Sequence, residues 1–469
     1  MPSNGNHGGV NWLLNHEPAL FPTTALQDAG YTYDYFSPDF LTAEGVSYDA
    51  ERKTLEQAGY KALVVWQDIL PLSGAKALLS LAETGMPVII VDGAASRSPY
   101  RADDESEWNE TIAALKALPA VVEAADAEAV LPALRSMNIA PYAGFMEPNH
   151  QLLTQARQDE EALYLYVYNY CDGTYQAHWS NGEQQDDHGT AITTEIVADG
   201  TFIPYEVNAW SGKTAKLGLY RHEEGKTIFP ISLNYHNVAL YVLKPCEADS
   251  ELHAVQADGL RVVSENGALS FRAVESGEYT VALSDGRTET FTLDISASRP
   301  ITGWNIQVET WTAGEERDTR TETLFGKTVT ESAVQTVRTV IPVELDTLTA
   351  WDEMPGVGDS AVGQAHYEAR FDWDGQASGA YIDFGEVTES MRVTLNGWEV
   401  TGVSMTDGRV DVGPWLVTGE NLLEIEYSTN LGNALGSSTP AGWYGYHEGK
   451  QPYGPRQAIL IPYINAEIQ

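Results

Sequence analysis

The segment PVIIVDG (87–93) constrains the chain more than any other stretch. Four branched apolar residues in succession, closed by Asp-Gly, leave no polar face for water, so a strand made from them must be covered on both sides. KALVVW (61–66) is a second run of the same kind, and VVEAA (121–125) a shorter third. Helical patterns separate the three. SGAKALLSLAETG (73–85) opens on a Ser cap and closes on Gly, and EWNETIAALKAL (107–118) and AEAVLPALRSM (127–137) follow. TTALQDAG (23–30) reads as a short helix with Thr at its cap, and YTYDYFS (31–37), before Pro38, as a further strand. Repeated β-α-β units predict a doubly wound parallel sheet over residues 1–150.

Beyond residue 150 the helical period disappears. ALYLYVYNY (162–170), AITTEIVA (191–198), TFIPYEVNAW (201–210), KTIFPISLNY (226–235) and VALYVLK (238–244) follow one another with aromatic and β-branched alternation. They predict an antiparallel β-sandwich over 151–248. A small β module follows over 249–300, with Asn266-Gly267 and Asp285-Gly286 suited to two-residue hairpins. Residues 301–469 read as a jelly roll with an N-terminal linker. The Thr-rich, charged stretch 312–364 is mixed in character, with a helical turn near LTAWDEM (348–354), and the last hundred residues alternate clearly. The fold class is therefore multidomain α/β plus all-β.

Composition narrows the function. Acidic residues outnumber basic ones 67 to 27, for a formal charge of -40. Such a field repels phosphate backbones and anionic lipid heads, which argues against nucleic-acid or membrane partners. No stretch reaches the roughly 18 apolar residues of a membrane span. The opening MPSNGNHGGVNWLLNH lacks the basic start and long apolar core of a signal peptide. Two cysteines, Cys171 and Cys246, can build neither a disulfide framework nor a four-ligand zinc site. They either pair with each other or stay apart as buried thiols.

LQDAGYTYDYFSPDFL (26–41), YKALVVWQ (60–67) and ETGMPVIIVDG (83–93) together resemble the α/β domain that follows the barrel in glycoside hydrolase family 106, the α-L-rhamnosidase family, in its fungal form. DDHGTAITTEIVADGTFIPYEVNAWSGK (186–213) and YRHEEGKTIFPISLNYHNVAL (220–240) resemble the β-sandwich that comes next there. YIDFGEVTESMRVTLNGWEVTG (381–402) and GPWLVTGENLLEIEYSTNLGNAL (413–435) resemble the galactose-binding-like jelly roll shared with family 2. The resemblance runs nearly the whole chain in order. It implies a flavodoxin- or amidotransferase-like first domain, an extracellular parent protein, and a catalytic barrel, carrying the acid and base carboxylates, to which nothing here corresponds. The amidotransferase likeness also implies a Gly-x-Cys/Ser-x-Gly elbow after the central strand. AASRSP follows VIIVDG instead, with no Cys and only Ser96 in a loop.

No catalytic residue is therefore expected. With 67 acidic side chains, the carboxylate pair that glycoside hydrolysis needs cannot be picked out by count. Sugar recognition asks for aromatic faces with amides beside them. The Gly/Pro/aromatic loop 437–455 and its approach offer Trp443, Tyr444, Tyr446 and Tyr453 with Asn430 and Asn433. The same aromatics would equally serve packing against another domain. Cofactors are not expected, although jelly rolls of this kind admit a structural calcium. The reading is of an ancillary, carbohydrate-binding or scaffolding region of a rhamnoside hydrolase, inactive alone, its partners a carbohydrate and the barrel. A free-standing carbohydrate-binding or interaction protein is one alternative. A self-contained hydrolase with its site between the α/β domain and the sandwich is the other.

Overall fold

The computed structural model describes residues 25–56, 59–101, 103–149, 151–169, 191–209, 211–235, 237–248, 250–257, 259–265, 268–403, 407–436 and 452–468. It is mostly β, with a small parallel sheet flanked by helices and several antiparallel sheets. The chain divides into two compact units. One comprises Met1–Val207 and Thr214–Val255, the other Asn208–Lys213 and Gln256–Gln469.

In the first unit, β1 (Leu63–Val65), β2 (Val88–Val91) and β3 (Val121–Ala124) form the parallel sheet in that order. The helices α1 (Leu72–Glu83) and α2 (Glu105–Lys116) connect them, and α3 (Val130–Ser136) follows β3. The central strand explains its own sequence. Val88 and Ile90 pack with α1 and α2 around Leu78, Trp108 and Leu115. Ile89 and Val91 pack with α3 around Val130 and Leu134. Both faces of β2 are thus covered, as the run VIIV requires. Asp104 caps α2 by accepting from the Glu107 N–H at 2.9 Å.

The parallel sheet has three strands, not the four expected. Residues 31–37 lie outside any strand. Side-chain hydroxyls hold the segment instead of a backbone ladder. Tyr31 donates to the Ile139 carbonyl at 2.6 Å, and Thr32 Oγ1 accepts from the Ala156 N–H at 3.1 Å. Gly30 sets the segment's entry. Its φ is +84°, and a Cβ there would stand 2.3 Å from Gly144 Cα.

Two antiparallel sheets complete this unit. One has the order β9-β8-β12-β6-β5, the other β10-β11-β7-β4. The strands are β4 (Ala143–Phe145), β5 (Leu152–Gln158), β6 (Leu163–Asn169), β7 (Ile192–Asp199), β8 (Phe202–Val207), β9 (Thr214–Leu217), β10 (Arg221–Glu223), β11 (Lys226–Leu233) and β12 (Val238–Pro245). Alternate residues such as Leu165, Val167, Ile196, Phe229 and Tyr241 share one core.

The second unit begins with β13 (Arg261–Glu265), β14 (Ala268–Ala273), β15 (Gly277–Leu283) and β16 (Thr288–Leu293). Gly286 takes φ +87° in the β15–β16 turn, but Leu283 stands opposite Arg287, so the loop is Ser284-Asp285-Gly286 and not the two-residue hairpin expected; Asn266 and Gly267 lie outside the described residues. A six-stranded sheet follows in the order β18-β17-β19-β24-β21-β22. These are β17 (Trp304–Leu324), β18 (Lys327–Leu345), β19 (Gly363–Trp373), β21 (Ser390–Leu395), β22 (Trp398–Val400) and β24 (Gly419–Ser428). The strand β20 (Gly379–Asp383) pairs with β23 (Arg409–Asp411) on one side and β25 (Ile459–Ile468) on the other, and β25 pairs with β14. The linker expected at the start of this module is instead two strands of 21 and 19 residues.

Tyr367 and Phe371 of β19 meet Ile382 of β20 and Leu460 of β25 in one core. Trp351, 1% exposed, lies in that core on a 3₁₀ turn (Trp351–Glu353), where the sequence predicted a helical turn. Its indole N–H donates to the Tyr367 hydroxyl at 2.7 Å. Burial raises the Tyr367 phenol well above its ordinary pKa, so it stays a neutral acceptor. Gly454, at φ +93°, lets the backbone pass within reach of both rings, since a Cβ there would meet Trp351 Cδ1 at 2.8 Å.

This arrangement fixes an order of costs. Trp351→Ala should destabilise the second unit by about 3–5 kcal/mol through the cavity it leaves. Tyr367→Phe should cost about 1–3 kcal/mol by stranding the indole N–H. Urea unfolding of both variants checks this, and a Tyr367→Phe midpoint equal to the parent's would contradict it.

Candidate functional site

The described residues of the first unit enclose a cleft of about 540 Å³ against the free edge of β1. That size is ordinary for a small-ligand site. Its walls are the 31–41 segment, β1 with its continuation to Gln67, the 139–142 turn and the end of β5. The position follows from the fold. The Leu63 N–H donates to the Pro87 carbonyl at 3.0 Å, so the peptide groups of Leu63 and Val65 face β2. Peptides alternate along a strand, and those of Val64 and Trp66 are turned toward the cleft.

Aromatic rings make up much of the wall. Tyr35 and Tyr100 are 48% and 60% exposed at the rim, and the Tyr35 ring lies 6.2 Å from Trp66. Ser37 steers the chain beyond them. Its Oγ accepts from the Asp39 N–H at 3.4 Å and starts the 3₁₀ turn Pro38–Thr42.

Charge is concentrated at two points. Asp34 accepts from the Tyr60 hydroxyl at 2.8 Å and from Arg157 Nη2 at 2.8 Å. Burial raises the Tyr60 pKa first, and the neighbouring Asp34 carboxylate raises it further. Lys61 donates to the Ala140 carbonyl at 3.1 Å, pairs with Asp199 at 3.3 Å and lies 4.1 Å from the Tyr142 ring centre. Burial lowers its pKa, and Asp199 works against that shift. The cleft thus offers apolar faces with oriented hydrogen-bonding groups, a combination suited to a neutral polyhydroxylated ring.

No nucleophile stands at the end of the central strand. The chain turns sharply after β2, with Gly93 at φ +78° and Ala95 at φ +48°. The Ala95 N–H donates to the Gln67 carbonyl at 2.8 Å, and its methyl group is buried. Ser96 Oγ donates to the Asp68 carbonyl at 3.1 Å. A strained elbow is present without an atom to attack from it.

The expected sugar-binding residues fall into two groups. Trp443, Tyr444 and Tyr446 lie outside the described residues. Asn430, Asn433 and Tyr453 come together. The Tyr453 hydroxyl donates to Asn430 Oδ1 at 2.5 Å and accepts from the Asn433 N–H at 3.4 Å. Asn430 also bonds Glu389 and accepts from the Gly432 N–H at 2.6 Å. Tyr453 is 1% exposed and packs edge-on to Trp351, so its ring face belongs to the core. In this structure it positions the Asn430 amide. Trp398, one of the module's other tryptophans, is 66% exposed on the short edge strand β22. Among the described residues, no three His, Cys, Asp or Glu side chains are placed to hold a metal ion. No described helix is long and apolar enough to cross a membrane. Cys171 lies outside the described residues, and so does the choice between its pairing with Cys246 and two separate thiols.

No protein-family model matches the chain, and no curated protein matches it. Among solved structures it is similar to a rhamnosidase from Novosphingobium sp. PP1Y, with a TM-score of 0.56 and 19% identity over 92% of this chain and 36% of that one. The chain therefore spans little more than a third of that protein. At this identity the likeness is one of fold. An apo exo-carrageenase from Bacteroides ovatus (TM-score 0.26, 11% identity, 47% of this chain and 26% of that one) and an α-L-rhamnosidase from Dictyoglumus thermophilum (TM-score 0.15, 10% identity, 67% and 27%) are too distant to carry an argument.

The Asp34 contacts predict a titration. In Asp34→Asn the Tyr60 phenol loses its anionic neighbour, so its pKa should fall toward the ordinary tyrosine value. The ion pair with Arg157 is largely exposed, and its loss should cost only about 0.2–1 kcal/mol. Ultraviolet absorbance against pH, compared with a Tyr60→Phe control, reads the shift. An unchanged phenol titration would show that Asp34 does not act on Tyr60.

Proposed function

We propose that this chain is an ancillary, carbohydrate-binding region of a glycoside hydrolase acting on L-rhamnosides, of the family 106 kind and fungal type, with its chemistry on a barrel outside these residues. One observation carries the reading. Nearly the whole chain, 92% of it, follows a part of a rhamnosidase that amounts to 36% of that protein. The motif resemblance over 26–93, 186–240 and 381–435 supports the same assignment, in the same order. The α/β unit contributes the aromatic cleft at β1, and the C-terminal unit a galactose-binding-like module whose Asn430 is held by Tyr453. The parent protein works outside the cell, where plant polysaccharides and glycosides are met.

The Ala95 elbow supports the division of labour, because the α/β unit keeps the turn and lacks the attacking group. Hydrolysis needs two carboxyl groups across one sugar. Of the two carboxylates that line the cleft, Asp34 and Asp39, the first is engaged by Tyr60 and Arg157.

Calorimetric titration with rhamnose-containing oligosaccharides, beside an aryl rhamnoside assay, tests the proposal. The chain should bind the oligosaccharide and release no phenol. Trp66→Ala should weaken binding about tenfold, the effect of losing about 1.4 kcal/mol of stacking. Turnover by this chain alone would overturn the placement of chemistry elsewhere. Binding that is absent, or that ignores Trp66, would overturn the role given to the cleft.

A further inference from the structure

The ribbon β17–β18 outruns the sheet that carries it. β17 is paired with β19 only from Asn305 to Thr310, yet its pairing with β18 continues to Leu324 and Lys327. The fourteen residues from Trp311 to Leu324 would span roughly 40 Å as a strand. Every described side chain from Thr312 to Val340 is exposed or partly so, and Phe325 at the tip is fully exposed. A two-stranded ribbon with neither face covered is marginal in water, which makes so long an arm a structure in want of a partner.

The outer edge of β18 shows how the partner is met. Among the described residues the sheet has two edge strands. β22 is three residues long, which blunts that edge, while β18 runs 19 residues. Long free edges are usually guarded by charge, proline or bulges. From Thr328 to Ile341 the charged residues are Glu331 and Arg338 alone, and proline appears first at Pro342. Val329, Val334, Val337 and Val340 are 38%, 38%, 48% and 54% exposed along it. The β-bulge of the ribbon, between Ala313 and Arg317, falls on β17 and leaves β18 regular.

Charge selects the partner. The chain carries -40, so two copies repel over most of their surfaces. Between 311 and 341 five acidic residues face four basic ones, and this stretch is nearly neutral. It is where a second copy can approach at least electrostatic cost. We infer that β18 pairs antiparallel with β18 of a second copy of this chain about a two-fold axis, joining two arms into one four-stranded sheet. In any register centred between Ala333 and Gln335, neither Glu331 nor Arg338 meets its own counterpart, so no like charges are apposed.

Light scattering on the eluting protein and sedimentation equilibrium test this directly. The chain should be a dimer at micromolar concentration, and the dimer should tighten as salt rises, because salt screens the repulsion between two acidic bodies. Val334→Lys sets two ammonium groups near the axis and should give a monomer with an unchanged circular dichroism spectrum. Val334→Glu should do the same, and mixing the two variants should restore dimer. A parent chain that stays monomeric at high micromolar concentration would overturn the inference. So would a Val334→Lys protein that dimerises as the parent does, or a mixture that fails to recover. None of these readings depends on sugar binding at the cleft.

Discussion

One buried polar contact organises the C-terminal unit. The Trp351 indole N–H and the Tyr367 hydroxyl meet at 2.7 Å among rings that include Tyr427 and Tyr453. An indole nitrogen without an acceptor would be costly in that setting, so the 3₁₀ turn has little freedom to shift along β19. The backbone N–H of Trp351 donates to the Tyr453 carbonyl at 2.9 Å, which ties the segment before β25 to the same point. Gly454 answers the resulting crowding, since no side chain fits between the two rings. From there the order passes to Tyr453, and through its hydroxyl to Asn430. A core contact thereby sets the direction of an amide at the surface.

In the first unit the governing constraint is the two-sided burial of β2. Once Val88 and Ile90 are claimed by α1 and α2, and Ile89 and Val91 by α3, the edge strand β1 has a partner on one side only. The 31–37 segment runs beside that edge without closing on it. Hydroxyls of Tyr31 and Thr32 anchor it to the 139 turn and to β5. The gap between segment and edge is the cleft. Its aromatic lining and its position therefore share a cause: a sequence alternating Tyr with polar residues that satisfies its side chains before its backbone.

The regular parts of this fold were plain in the sequence. VIIV and the helices around it act through local rules, although the cap read at Ser73 lies one residue inside α1, whose first residue is Leu72. The arm was not plain. Its strands expose both faces, so they carry no alternation to read, and the turn at Phe325-Gly326 uses φ +52° and +75° without the usual Asn or Asp. The 31–37 stretch failed in the opposite sense. Its alternation is that of a strand, but the competition between ladder and side-chain bonds is decided by residues more than a hundred positions away. The residues of the cleft were missed for the same reason, since its walls come from four separate segments. Tyr453 looked like a ligand platform because a sequence does not say which tyrosine of an aromatic loop the core will take.

Ala95 shows that a left-handed turn can stand without reactivity. The left-handed turn at this residue is one that most side chains avoid, yet it persists with nothing more reactive than a methyl group. That methyl is 4% exposed, closed in beneath the Gln67 strand end. Placing a nucleophile there would therefore be insufficient, because an incoming carbonyl would have no approach. Chemistry at this corner would need both a reactive atom and an opening in front of it, and the second asks for the larger rearrangement.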